Sequence, residues 1–300
     1  MLPIVATVVD TPAEVRLEVA QLRGGDMVYV ISRTKNWAHI HLVDGRSGWL
    51  ELKDLLDSKT YQRGRQQIQG MDKLPPQAEG HTTNEVNLRL DPSRESALLG
   101  ILEANQRVQI FGRQYVERAP RDAANPAPGV ATDASAPAAI REAWYLVRAG
   151  TQGGWVLGRF ITLDIPPEIS VYAEGMNLVG WLVLDTVSDN GHNMPQYLVV
   201  DRMGAPELDF NHLRVFTWWA KNQHYVTAFV EGNLNGFFPI LTTRVGDKPV
   251  FRLRLVDKKG NKFQKIYEMS NTIVHPVGRV EGWESDAMPA APVARPRRHR

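Results

Sequence analysis

Two short segments of this 300-residue chain carry residue types that perform serine acyl transfer in other settings. Ser32-Arg33-Thr34-Lys35 has the Ser-x-x-Lys spacing that lets a lysine draw the proton from a serine nucleophile, and Ser188-Asp189-Asn190 has the Ser-Asp-Asn order that accompanies it. That chemistry needs its serine at the start of a helix beside a Lys-Thr-Gly strand, whereas Ser32 lies in a hairpin pattern and no Lys-Thr-Gly occurs. No Gly-x-Ser-x-Gly, Walker loop or Gly-x-Gly-x-x-Gly occurs either. Glu207 and Asp209 form an acid pair two positions apart on a loop pattern, where carboxylates are normally solvated. His192, His212, His224 and His275 show neither the i, i+4 spacing nor the His-x-Glu-x-x-His spacing of a metal site. The expectation is therefore no catalytic residue, no metal and no cofactor.

Tryptophan offers a different chemistry, because an indole stacks on proline or sugar rings while its N–H donates a hydrogen bond. Trp37, Trp49, Trp144 and Trp155 stand at matching places in a pattern written twice. The first copy runs Leu22-Arg23-Gly24-Gly25-Asp26-Met27-Val28-Tyr29-Val30-Ile31, then Asn36-Trp37-Ala38-His39-Ile40, then Asp44-Gly45-Arg46-Ser47-Gly48-Trp49-Leu50. The second runs Val86-Asn87-Leu88-Arg89, Leu99 to Ile110, Trp144-Tyr145-Leu146-Val147 and Gly153-Gly154-Trp155-Val156-Leu157, closing on Phe160-Ile161. Chance rarely repeats spacing, turn residues and tryptophans together, so the repeat is an architectural unit.

The elements that carry these residues read as short β-strands. Met27–Ile31 and Trp37–Leu42 are β-branched and aromatic runs on either side of a polar turn, and Asp44-Gly45 is a tight-turn pair. Residues 57–82 hold Gln66-Gln67, Gly64, Gly70, Pro75-Pro76 and Gly80 with little apolar periodicity, which predicts a linker with at most one helical turn. Within 117–141 the chain is almost wholly Ala, Pro, Asp, Ser, Thr and Gly, which predicts a disordered hairpin insertion. Beyond Ile165-Pro166-Pro167, alternating runs at Val179–Val187, Tyr197–Asp201, Leu213–Trp219, His224–Val230, Phe237–Thr242, Phe251–Leu255, Lys262–Met269 and Ile273–Val277 predict an antiparallel sandwich or barrel over 168–282. The adjacent Trp218 and Trp219 must point to opposite faces of their strand.

Composition narrows the function further. The chain is 43% apolar and 23% charged, as in ordinary globular proteins, and it has no cysteine, which removes disulfides, thiolate metal sites and cysteine nucleophiles. Its longest apolar runs are strand-sized, so no membrane span is expected, and no secretory signal is visible at Met1-Leu2-Pro3-Ile4-Val5. Arg295, Arg297, Arg298 and Arg300 supply four charges to a formal total of +2, leaving −2 on residues 1–286. A nearly neutral body offers no basic stripe for a specific nucleic-acid partner, and residues 283–300 read as a disordered basic tail.

The Val-Asn-Leu-Arg opening, Val-x-Ile strand, Trp-Tyr-x-Val and Gly-Gly-Trp-Val of the second copy resemble the bacterial Src-homology-3 domain. The first copy matches it at Trp37, Gly48, Trp49 and Leu55 but lacks the Asn-Leu-Arg element. The resemblance implies two small five-stranded barrels, at 1–56 and 83–164, in an all-β protein. It also implies an extracytoplasmic location in the periplasm or cell envelope, and modules that bind a peptide or peptidoglycan strand. Trp37 and Trp144 then flank the peptide groove, with Trp49, Trp155 and Phe160 as further groove candidates. The C-terminal stretch from Asp209 to Phe229 is similar to the β-rich domain that follows such repeats in envelope proteins, which implies no activity; the expectation for it here is to hold a protein partner or to position the two barrels. The alternatives are a wall or peptide hydrolase with catalysis in that domain, and an interaction scaffold without a groove ligand.

Overall fold

The structure, a computed structural model, describes residues 5–118, 140–172, 174–204 and 207–284. The chain is all-β with several antiparallel sheets, and it forms two compact units. Unit 1 comprises the chain through Asp72, Gly80–Ile110 and Gln114–Thr162; unit 2 comprises Lys73–Glu79, Phe111–Arg113 and the chain from Leu163. Most of the predicted insertion, 119–139, and of the basic tail, 285–300, lies outside the described residues.

Unit 1 contains both copies of the repeat. β1 (Val5–Val9), β2 (Glu18–Arg23), β3 (Tyr29–Thr34), β4 (Trp37–His41) and β5 (Ser47–Glu51) pair in the order β2-β1-β5-β4-β3. A 3-10 turn at Leu52–Asp54, helix α1 (Ser58–Met71) and β6 (Ala78–Thr82) follow. β7 (Val86–Arg89), β8 (Leu98–Leu102), β9 (Arg107–Arg118), β10 (Ile140–Ala149) and β11 (Gln152–Leu157) then pair as β8-β7-β11-β10-β9, the same order strand for strand. This copy also ends in a 3-10 turn, Gly158–Phe160, before β12 (Ile161–Leu163) pairs with β6. The ends of the expected insertion therefore belong to β9 and β10 rather than to a loop.

The two copies agree down to single bonds. Gly25 and Asn105 both take positive φ, 101° and 60°, at the same turn. The side chain that follows, Asp26 or Gln106, accepts a backbone N–H from Arg23 at 2.8 Å or from Glu103 at 3.1 Å. Val9 faces Trp49 as Arg89 faces Trp155. The glycine before each tryptophan follows from this crossing: a Cβ on Gly48 would stand 2.8 Å from the Val9 carbonyl oxygen, and one on Gly154 2.7 Å from that of Arg89. Only hydrogen fits where β1 crosses β5 or β7 crosses β11. The first copy wraps a core of Ala6, Val8, Ala20, Ala38, Ile40, Leu42 and Leu50. Alanine contributes little buried area, whereas each larger aliphatic stabilises by roughly 1.5–3 kcal/mol, so this core is a lean one.

The segment expected to be a flexible linker is instead mostly helix. Asp57 caps α1 by accepting the Thr60 N–H at 3.0 Å. The inward face is Gly64, Ile68 and Met71, a 4-3 spacing in which glycine replaces an apolar side chain, and Tyr61 one turn earlier is exposed. Gly64 and Met71 are buried. A Cβ on Gly64 would meet Leu99 at 3.3 Å, and one on Gly153 would meet Ile68 at 2.8 Å, so the helix lies close against the second copy. Polar anchors fix the same face: Arg63 to Asp91 at 3.2 Å, Gln67 to the Leu90 carbonyl at 3.3 Å and Arg148 to Asp72 at 2.5 Å.

Unit 2 opens with the short α2 (Pro167–Ser170) and continues as eight strands. β13 (Leu178–Asp189), β14 (His192–Asp201), β15 (His212–Trp219) and β16 (His224–Glu231) form one sheet in chain order. β17 (Gly236–Val245), β18 (Lys248–Val256), β19 (Lys262–Ser270) and β20 (Ile273–Glu281) form a second in the same manner. Leu198, Leu213 and Val215 from the first sheet and Ile240, Phe251 and Tyr267 from the second share one core, which makes unit 2 a sandwich. Asn190 and Gly191 both take positive φ, the tight-turn geometry that joins β13 to β14.

Between Phe237 and Leu241 the pairing of β17 with β18 breaks register, which removes the normal ladder partner of Ile240. Gln77 fills that place from outside the sheet. Its Oε1 accepts the Ile240 N–H at 2.6 Å, and its Nε2 donates to the Ile240 carbonyl at 3.1 Å and the Pro75 carbonyl at 2.7 Å. Gln77 is fully buried, and its own carbonyl accepts the Trp181 N–H at 2.7 Å.

Candidate functional site

The predicted groove residues do not converge. Trp144 lies in the middle of β10 opposite Leu157 and is only 3% exposed, so its ring faces are unavailable to a ligand and the groove expectation is corrected for it. Trp37 is half-buried with the Arg16 guanidinium 5.1 Å above its ring. Trp49 stacks on His39 at 4.9 Å, a cross-strand pair of β4 and β5. Trp155 is half-buried between its partners Leu146 and Arg89, and Phe160 lies 4.8 Å beneath Arg159 in the closing 3-10 turn.

A different feature of unit 1 has the dimensions of a ligand site. A cavity of about 710 Å³ lies among the β2–β3 turn, β3, the segment after β5, α1 and the second copy. Leu55, Leu56, Tyr61, Ile68, Leu88 and Leu99 give it an apolar floor, and Asp26, Arg33, Asp57 and Arg65 stand among its polar groups. The two carboxylates are already engaged, Asp26 by the Arg23 N–H and Asp57 by the Thr60 N–H, and these hydrogen bonds hold Asp57 below the usual carboxylate range. Among the described residues neither Arg33 nor Arg65 has a side-chain partner, so the cavity presents two unpaired guanidinium groups alongside these two carboxylates.

Arg33 reaches the cavity through a bulge. Val30 pairs with Ile40 and Arg33 with Ala38, both core residues, while the register slips at Ile31. That single extra residue puts Val30 and Arg33 on the same side of β3, where strict alternation would have separated them. Sequence reading placed a strand at Met27–Ile31 but not its exposure. The available signal was five consecutive apolar residues, since a half-buried strand of a small barrel needs only alternate ones.

In unit 2 the acid pair considered for hydrolysis separates: Glu207 is exposed, and Asp209 serves the fold. Asp209 is buried, and its Oδ2 accepts the Phe238 N–H at 2.9 Å. Burial pushes its carboxyl up to about 6, against smaller downward effects of that hydrogen bond and of Arg113 and Arg202. Because the folded-state value lies above the unfolded value of 3.8, the native state holds this proton longer. Stability from this group is therefore highest below about pH 4, declines as pH rises to about 6, and is level above that. At about 1.4 kcal/mol per pH unit the difference is on the order of 3 kcal/mol. Asp209→Asn is expected to flatten the denaturant midpoint between pH 4 and 6; an unchanged slope would assign it to other groups.

Trp218 and Trp219 divide as their adjacency requires. Trp218 donates its indole N–H to Asp189 at 2.8 Å and packs edge-on against Tyr225, while Trp219 is exposed beside His224. Among the described residues no three histidine, cysteine, aspartate or glutamate side chains gather in a metal-holding group, and no helix is long and apolar enough to cross a membrane. A scan against protein-family models and a search of curated proteins both find no match to this chain.

Proposed function

We propose that this chain is a noncatalytic cell-envelope binding protein whose unit 1 holds an extended peptide or peptidoglycan strand. The observation that carries this reading is the 710 Å³ cavity built jointly by both copies of the repeat and α1. Its size and apolar floor suit a ligand of several residues, and Asp26, Arg33, Asp57, Arg65 and Gln152 supply polar groups that could orient one. No histidine, lysine or cysteine lines it, and both carboxylates are committed to backbone N–H groups, which favours binding over chemistry. The resemblance of both copies to the bacterial Src-homology-3 domain supports the envelope location and the ligand class. Because α1 packs against the second copy, the copies act as one composite site rather than as two modules on a flexible tether.

The test is calorimetric titration of the whole chain with soluble disaccharide-peptide fragments of peptidoglycan and with the free stem peptide. Tyr61→Ala, at the cavity wall, is expected to weaken binding about tenfold, equivalent to about 1.4 kcal/mol, with the melting temperature unchanged. Unaltered affinity in that variant would reject the cavity as the site. A second reading, a protein-interaction scaffold, is favoured by the burial of Trp144 and the Arg16 cover on Trp37, and predicts that neither fragment binds.

A further inference from the structure

The two copies of the repeat differ in one respect that bears on the ligand. In the second copy the strand at the end of the five-strand order, β9, is followed in the sheet by β6, so its edge is closed by an extended piece of chain. Thr82 of that piece receives the Asn105 N–H at 2.8 Å and donates its own N–H to the Gln106 carbonyl at 3.0 Å. In the first copy the equivalent strand, β3, ends its sheet with no strand paired to its outer edge among the described residues. The side chains record the difference: Ile110 and Phe111 of β9 are 3% and 1% exposed, while the matching Val30 and Ile31 of β3 are 40% and 57% exposed. Met27 and Tyr29 are exposed as well. An apolar edge with free backbone donors and acceptors is a template for strand addition.

We propose that β3 accepts an added β-strand from a partner polypeptide, an extended segment in which apolar residues alternate with acidic ones. This rests on the peptide-binding reading of unit 1 and specifies its ligand. The extended form follows from the internal precedent of β6 on β9. The acidic alternation follows from charge, since Arg33 and Arg65 face the cavity beside β3 without carboxylate partners. The bulge at Ile31 disfavours a second copy of this chain as the occupant. Two β3 strands related by a two-fold axis would set bulge against bulge, whereas a regular strand meets only one.

The experiment titrates the whole chain with an acetylated octapeptide of alternating valine and glutamate, with its valine–lysine counterpart, and with the glutamate peptide N-methylated at every second residue. Amide hydrogen exchange is followed over Tyr29–Thr34. The glutamate peptide is expected to bind, to protect that segment and to exceed the lysine peptide at least tenfold, and N-methylation is expected to abolish both effects. Binding that survives N-methylation yet is weakened by Tyr61→Ala would overturn strand addition and leave the cavity reading standing. Absence of peptide binding, or a concentration-dependent dimer in sedimentation that alone protects β3, would overturn the proposal.

Discussion

Truncating Trp144 to alanine is expected to lower the stability of unit 1 by about 3–5 kcal/mol, as for other buried tryptophans. Its place in the repeat matches that of Trp37, but the two side chains have separate fates. Trp144 is 3% exposed, and its removal leaves a cavity the size of an indole that neighbouring groups fill only in part. Trp37 is half-buried under Arg16, so Trp37→Ala loses a cation–π contact worth about 0.5–1 kcal/mol and some packing. Urea unfolding of both variants, followed by circular dichroism, checks this. Equal midpoints would mean that Trp144 is not a core side chain, and would reopen the groove assignment.

Replacing Gln77 with alanine is expected to cost unit 2 about 4 kcal/mol, since a buried polar group deprived of its partner loses about 1–3 kcal/mol. The variant leaves the N–H and carbonyl of Ile240 and the Pro75 carbonyl without the amide that serves all three. Gln77→Glu separates shape from hydrogen bonding: the carboxylate can still accept from Ile240 but cannot donate to either carbonyl, and it adds a buried charge. Both variants should move the denaturant midpoint in the same direction, the glutamate further at neutral pH than at pH 4. A glutamate variant as stable as the parent would show that Ile240 finds another partner.

What the sequence disclosed depended on whether the pattern was local. Phe251-Arg252-Leu253-Arg254-Leu255 alternates because Phe251, Leu253 and Leu255 point into the core between the sheets while the arginines take the opposite face, and its extent was readable. Asp44-Gly45 announces its turn because Gly45 takes positive φ without steric cost. Helix α1 was missed because two of its positions, Gly64 and Gly70, are poor helix formers, and its cohesion comes from the surface it meets, Leu99 and Gly153, far along the chain. The tryptophans mark strands in both copies, but whether a ring faces a ligand or a core depends on what covers it, and no spacing encodes that. The cavity was illegible for the same reason, since its wall mixes residues 24–33, 52–68 and 88–153.

The way unit 2 is stitched together sets an order of events for a chain leaving the ribosome. Each of its sheets joins only chain neighbours, β13 through β16 and then β17 through β20, so each can zip from hairpins as soon as its strands emerge. The bond between Gln77 and Ile240 spans 163 residues and cannot form until β17 appears. At a synthesis rate of about 5–20 residues per second, the segment around Gln77 waits on the order of ten seconds or more without its Ile240 partner. Completion of the later half is thus timed by a residue made long before it.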